Sequence, residues 1–140
     1  MDKVFIDSDV ILDYLIQRDP FTMSAAKIIS LSERKKINAC TTGLVFANCY
    51  YVLRKFAPHK KVVDKLLQLS RWVEIIGLPG TAVLSGLQSD FSDFEDALQY
   101  FSSVESKVKI IVTRNVKDYK NSELAIMTPD LFLLHNIAKL

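Results

Sequence analysis

The strongest constraint on the fold is a repeated alternation: short apolar runs, each too brief for a helix, pass into helical-period segments without hairpin-length turns. Val4-Phe5-Ile6 stops at Asp7, and the polar step Ser8-Asp9 leads straight into Val10, Ile11, Leu12, Tyr14 and Leu15. Runs of the same strand type occur at Ile37 to Cys40, Trp72 to Ile76 and Lys109 to Thr113, with a weaker one at Leu124 to Met127. Between them lie helical patterns. Thr22 can cap a helix carrying Ala25, Ala26, Ile28, Ile29 and Leu31, and Thr41 and Thr42 offer cap oxygens for one from Leu44 to about Lys55. That third helix is apolar nearly all round, which predicts a central position. Val62 to Leu69, Thr81 to Leu87 and Asp93 to Val104 read as further helices, and Thr128-Pro129 starts a last one that runs to the end. Strands separated by helical segments, mostly with no hairpin-length turn between them, point to parallel crossovers. The expectation is an α/β protein, a three-layer α/β/α sandwich around a central, mainly parallel sheet of about five strands.

A chain of 140 residues with 49% apolar side chains can fill one core, and no repeat or linker divides it, so residues 1–140 read as a single domain. Four glycines and four prolines exclude a collagen-like or largely disordered chain. The amino terminus lacks the apolar block of a signal peptide, and no stretch approaches the roughly 20 apolar residues of a membrane span. A cytoplasmic protein with no membrane partner is expected. The net charge of +2 neither requires nor forbids nucleic acid. Cys40 and Cys49 show no metal-ligand or redox spacing and read as small buried hydrophobes in a reducing compartment.

Parallel sheets place ligands beyond the carboxyl ends of their strands. There the sequence gathers oxygen ligands: Asp7 and Asp9 after the first strand, Asp93 and Asp96 at the opening of a helix, and Thr113-Arg114-Asn115 with Asp118 after the fourth. Asp93 and Asp96 are three residues apart, so both carboxylates lie on one helical face. Clustered acids near a buried strand end repel one another unless a cation sits among them, and Mg²⁺ or Mn²⁺ is the hard cation that suits oxygen donors. Such an ion permits phosphodiester hydrolysis without a histidine, cysteine or serine nucleophile. His59 and His135 lie in helical stretches away from the acids, and with four glycines the chain has no phosphate-cradling loop. Simpler roles also exist: Ser8 or Asp9 as cap of the first helix, Asp93 as cap of the sixth, and Asp118 on a solvated turn. Of the basic groups, Arg114-Lys117-Lys120 is best situated for phosphate, with Arg114 able to grip one bidentately.

Four segments together resemble the PIN domain family: Phe5-Ile6-Asp7-Ser8-Asp9-Val10-Ile11-Leu12-Asp13, Phe46-Ala47-Asn48-Cys49-Tyr50-Tyr51-Val52-Leu53, Asp93-Phe94-Glu95-Asp96-Ala97-Leu98 and Ile111-Val112-Thr113-Arg114-Asn115. The ordered set carries the resemblance over essentially the full length. It implies a metal-dependent ribonuclease fold like the VapC-type toxins of bacterial toxin-antitoxin pairs, with RNA as substrate and an antitoxin protein as partner. By that resemblance Asp7 is the first-strand acid, Asp96 the third acid and Thr113 the hydroxyl residue after the fourth strand, with Asp93 and Asp9 as supplements. Asn48 stands where the common pattern has a glutamate, and Asn115 where many members have an aspartate. Two fewer negative charges imply weaker metal binding than in a four-acid pocket.

The resulting expectation is a Mg²⁺- or Mn²⁺-dependent endoribonuclease with Asp7 and Asp96 as ligands and Asp93 as a direct or supporting ligand. Asn48, Thr113 and Asn115 would orient water, Arg114 would hold substrate phosphate, and Asp9 and Asp118 would be peripheral. Two alternatives stand beside it. One is a catalytically silent PIN-like module that binds RNA or protein. The other is a haloacid-dehalogenase-like phosphatase, because Asp7-Ser8-Asp9-Val10 fits its D-x-D-x-T/V motif. Order weighs against the latter: its acid pair follows the threonine strand, whereas Asp93 and Asp96 precede Thr113, after which only 27 residues remain. Apolar residues on the first helices could support a homodimer, although such residues more often serve the core.

Overall fold

The computed structural model describes residues 1–119 and 122–140. Lys120, read above as part of a phosphate-facing group, lies outside them. Five strands, β1 (Lys3–Ile6), β2 (Asn38–Thr42), β3 (Glu74–Ile76), β4 (Ile110–Val112) and β5 (Ala125–Met127), form one sheet in the order β3-β2-β1-β4-β5. Every pairing is parallel. The helices are α1 (Ser8–Leu15), α2 (Thr22–Glu33), α3 (Gly43–Leu53), α4 (His59–Ser70), α5 (Gly80–Leu87), α6 (Phe94–Glu105) and α7 (Pro129–His135), with 3₁₀ turns at Val116–Tyr119 and Ile137–Lys139. Helices cover both faces of the sheet, as a fully parallel sheet requires. α1 packs on α2 and α3, α2 on α7, α3 on α4, and α5 on α6.

The central strand β1 is buried along Val4, Phe5 and Ile6, and its neighbours present Cys40 and Ile111 to Phe5. Val10, Ile11, Ala25, Ile28, Ile29 and Leu31 complete the core from the first two helices. The apolar surface that suggested a homodimer is therefore mostly internal, and Phe21 and Met23 are the large apolar side chains left exposed on this stretch. Register decides what happens at the strand ends: Ile6 lies beside Val112, so Asp7 and Thr113 leave the sheet next to each other. The Asp7 amide still donates to the Val112 carbonyl at 3.0 Å, and the Thr113 amide to that of Met127 at 3.0 Å.

Four local expectations change. α3 is not central: Val45, Cys49 and Leu53 are buried on one face, whereas Tyr51 is 70% exposed, as a helix packed from one side must leave it. Thr41 belongs to β2, its hydroxyl donating to the Ile6 carbonyl at 3.0 Å, and Thr42 alone caps α3. The last helix stops at His135, where the Asn136 side-chain Nδ2 donates to the Phe132 carbonyl at 2.8 Å and competes with continued helical bonding. Strand three begins at Glu74, because the Trp72 and Val73 amides still bond to Leu69 at the end of α4. Cys40 and Cys49 are free and buried, and burial pushes both thiols up to about 12. Among the described residues no helix is long and apolar enough to cross a membrane.

Candidate active site at the carboxyl ends of β1 and β4

Strand order reverses direction around β1 and β4, and the crevice beyond their ends is where an open parallel sheet exposes polar groups without breaking its ladder. Asp7 sits there, buried, and is the cap of α1: Oδ1 accepts the Ser8 amide at 2.7 Å. Its Oδ2 accepts the Thr113 hydroxyl at 2.9 Å and the Tyr119 hydroxyl at 3.2 Å. A buried carboxylate would be costly if unpartnered, so these three donors are what make its position tolerable. The Tyr119 proton is held tightly in return, its pKa raised first by burial and then by the Asp7 charge.

Asp9 is not peripheral. Its Oδ2 accepts the Arg114 amide at 3.0 Å and the Asn115 side-chain amide at 3.2 Å, while Oδ1 accepts the Val10 amide at 2.7 Å. Burial, followed by repulsion from Asp7, pushes its carboxyl up to about 6. Asp96 is pushed up to about 7 by burial, then by the charges of Asp93, Asp7, Asp118 and Glu95. These shifts identify one shared field of carboxylates reached from β1, α6 and the turn after β4. Asp93 is exposed and caps α6, accepting the Asp96 amide at 2.9 Å. Asn48 projects from α3 and donates to Glu95 at the start of α6. Asp118 is exposed on the 3₁₀ turn.

Thr113, Asn115 and Asn48, the residues expected to orient water, donate to Asp7, Asp9 and Glu95 respectively. Arg114, expected at a substrate phosphate, is engaged by Asp13: Nε lies 2.7 Å from Oδ2 and Nη2 3.2 Å from Oδ1, and the guanidinium lies over the Phe21 ring, 4.0 Å from its centroid. Asp13 also takes Arg18 Nε at 2.9 Å, and Arg18 Nη2 donates to the Asp9 carbonyl at 3.2 Å. Asp13 and Tyr119 were missed as site residues. An acid inside the apolar run from Val10 to Leu15 is a legible signal for Asp13; Tyr119 carries none.

Among the described residues, no lysine or arginine forms an ion pair with Asp7, Asp9, Asp93, Asp96 or Asp118. Nor do any three His, Cys, Asp or Glu side chains among those residues form a group able to hold a metal ion unaided.

With this geometry in hand, comparison defines the class. The PIN domain family model matches residues 3–117, and the chain belongs to the PIN domain family. It is 26% identical over 136 residues to Ribonuclease VapC1 of Aquifex aeolicus (strain VF5), covering 94% of this chain and 93% of that protein. Among solved structures, a toxin-antitoxin complex from Klebsiella pneumoniae is similar at TM-score 0.67 and 14% identity, covering 90% of this chain and 97% of that one. VapBC-1 from nontypeable Haemophilus influenzae gives a TM-score of 0.66 at 14% identity, covering 91% and 98% respectively. VapBC2 from Rickettsia felis, bound to a DNA fragment from their promoter, gives 0.64 at 15%, covering 89% and 96%. The structural likenesses carry the fold. Family membership removes the phosphatase alternative.

Proposed function

We propose that this chain is a divalent-metal-dependent endoribonuclease of the VapC toxin type, acting on RNA in the cytoplasm. The observation that carries the reading is Asp7: a buried carboxylate held by Ser8, Thr113 and Tyr119, facing Asp9 and Asp96 with no paired cation among the described residues.

The donor set fits a hydrated ion rather than a fully caged one. Mg²⁺ commonly keeps several waters and takes only one or two carboxylates, which agrees with crowded acids that do not form a three-ligand group. Asp7 and Asp96 would hold Mg²⁺ or Mn²⁺, with Asp93 supporting through the helix end it caps. When bound, the ion supplies Lewis acidity toward a water and a phosphodiester oxygen. Thr113 and Tyr119 orient the Asp7 carboxylate, Asn115 and the Arg114 amide orient Asp9, and Asn48 ties Glu95 to the far wall. Arg114 would offer a substrate phosphate the edge of its guanidinium not taken by Asp13. The complexes named for the structural neighbours support an antitoxin protein as the cognate partner of this chain.

Purified protein is expected to cleave single-stranded RNA with added Mn²⁺, and Asp7→Asn or Asp96→Asn to abolish cleavage with the fold intact. Cleavage at the wild-type rate in both variants would overturn the assignment. A silent PIN-like module would instead bind RNA with no turnover under any divalent metal.

A further inference from the structure

Beside the acid cluster, a cavity of about 390 Å³ opens between the starts of α2 and α7, lined by Phe21, Ser24, Arg114, Asn115, Thr128 and Asp130 among others. Its size falls within the roughly 300–1,000 Å³ typical of ligand sites. Three features give it a chemistry. Phe21 is 40% exposed, and the Arg114 guanidinium lies against its ring, so a cation and an aromatic surface are presented together. Asp13 holds that guanidinium through Nε and Nη2, so the stack is formed before any ligand arrives. Asn115 lines the cavity and also donates to Asp9, so cavity and acid cluster share a wall.

We propose that this cavity is a subsite for one nucleobase of the RNA strand next to the cleaved phosphate, stacking against Phe21 and Arg114. Unstacked bases of single-stranded RNA settle on aromatic rings and guanidinium planes in this manner. A strand with its base here carries its phosphates past Arg114 toward the acids. Asp130, whose Oδ1 accepts the Ser24 hydroxyl, adds a carboxylate acceptor at the rim. The subsite therefore favours bases bearing amino donors, guanine above uracil. This inference rests on the ribonuclease reading, but its test does not require catalysis.

The ¹⁵N-labelled full chain is titrated with GMP and, separately, UMP in the presence of a chelator. The expected result is saturable shifts of the Phe21, Arg114, Asn115 and Asp130 amides, tighter for GMP. Phe21→Ala should weaken GMP binding about tenfold or more, and Phe21→Trp should restore it. No saturable shift at these amides, or GMP affinity unchanged in a folded Phe21→Ala variant, would overturn the subsite. GMP binding of the expected kind by a chain that fails to cleave RNA with added Mn²⁺ would uphold it and overturn the nuclease reading alone.

Discussion

Thr113 shows how one hydroxyl can organise a site. It donates to Asp7 at 2.9 Å and accepts the Asn115 amide at 3.1 Å, so it fixes both the first-strand acid and the turn that carries Asn115 to Asp9. Thr113→Val leaves both partners short of a bond inside a buried site and should cost about 1–3 kcal/mol of stability, while Thr113→Ser should recover most of it. Denaturant unfolding checks the loss, and RNA cleavage should fall in Val but not in Ser. Asp7 and Thr113 were legible because each ends an apolar strand run, where a polar residue must find partners. Tyr119 was not, because a 3₁₀ turn has no periodicity that reveals which side chain points inward. The ion pair of Arg114 was not legible for a related reason. Its partner Asp13 is 101 residues away, and a basic residue after a strand looks the same in sequence whether it meets phosphate or a carboxylate.

At the scale of elements, caps and clamps carry the acids. Asp93 accepts from the Asp96 amide and thereby sets the first turn of α6. Asp93→Ala should lose about 0.5–2 kcal/mol, and Asp93→Ser should restore the stability. If capping is its whole task, the Ser variant also recovers RNA cleavage; a stable but inactive Ser variant would make Asp93 a direct ligand. Asp13 links α1 to the turn after β4 through two arginines. Asp13→Asn removes the charge from a buried pair and should destabilise by about 1–3 kcal/mol, since both arginines retain some solvent. It should also loosen the Arg114 amide from Asp9 and lower kcat more than it raises KM. The starts of α6 and α7 were readable from Asp93 and from Thr128-Pro129 because capping is local chemistry. The exposure of α3 was not: an all-round apolar pattern cannot say which faces find partners, and only the tertiary packing leaves Tyr51 outside.

For the whole molecule, alternation of short strands with helices was enough to predict parallel crossovers and hence the sheet class. Strand order and the convergence of three distant acidic stretches depend on register and crossover packing, which no local pattern encodes. That convergence has a thermodynamic signature. Asp9 and Asp96 carry carboxyls pushed up to about 6 and about 7, above their unfolded value of 3.8. Each binds its proton more tightly when folded, so its contribution is complete below the unfolded value and disappears as pH rises through the folded one. Metal-free protein should therefore lose melting temperature between about pH 4 and about pH 7, and Mn²⁺ should restore several degrees at the higher pH. Melting that rises with pH and ignores Mn²⁺ would contradict this.

The most direct measurement is calorimetric titration of Mn²⁺ into the wild-type chain and into Asp7→Asn near neutral pH. The wild type should give a saturable single-site isotherm that Asp7→Asn abolishes; no heat from the wild type, or equal heats from both proteins, would contradict the account.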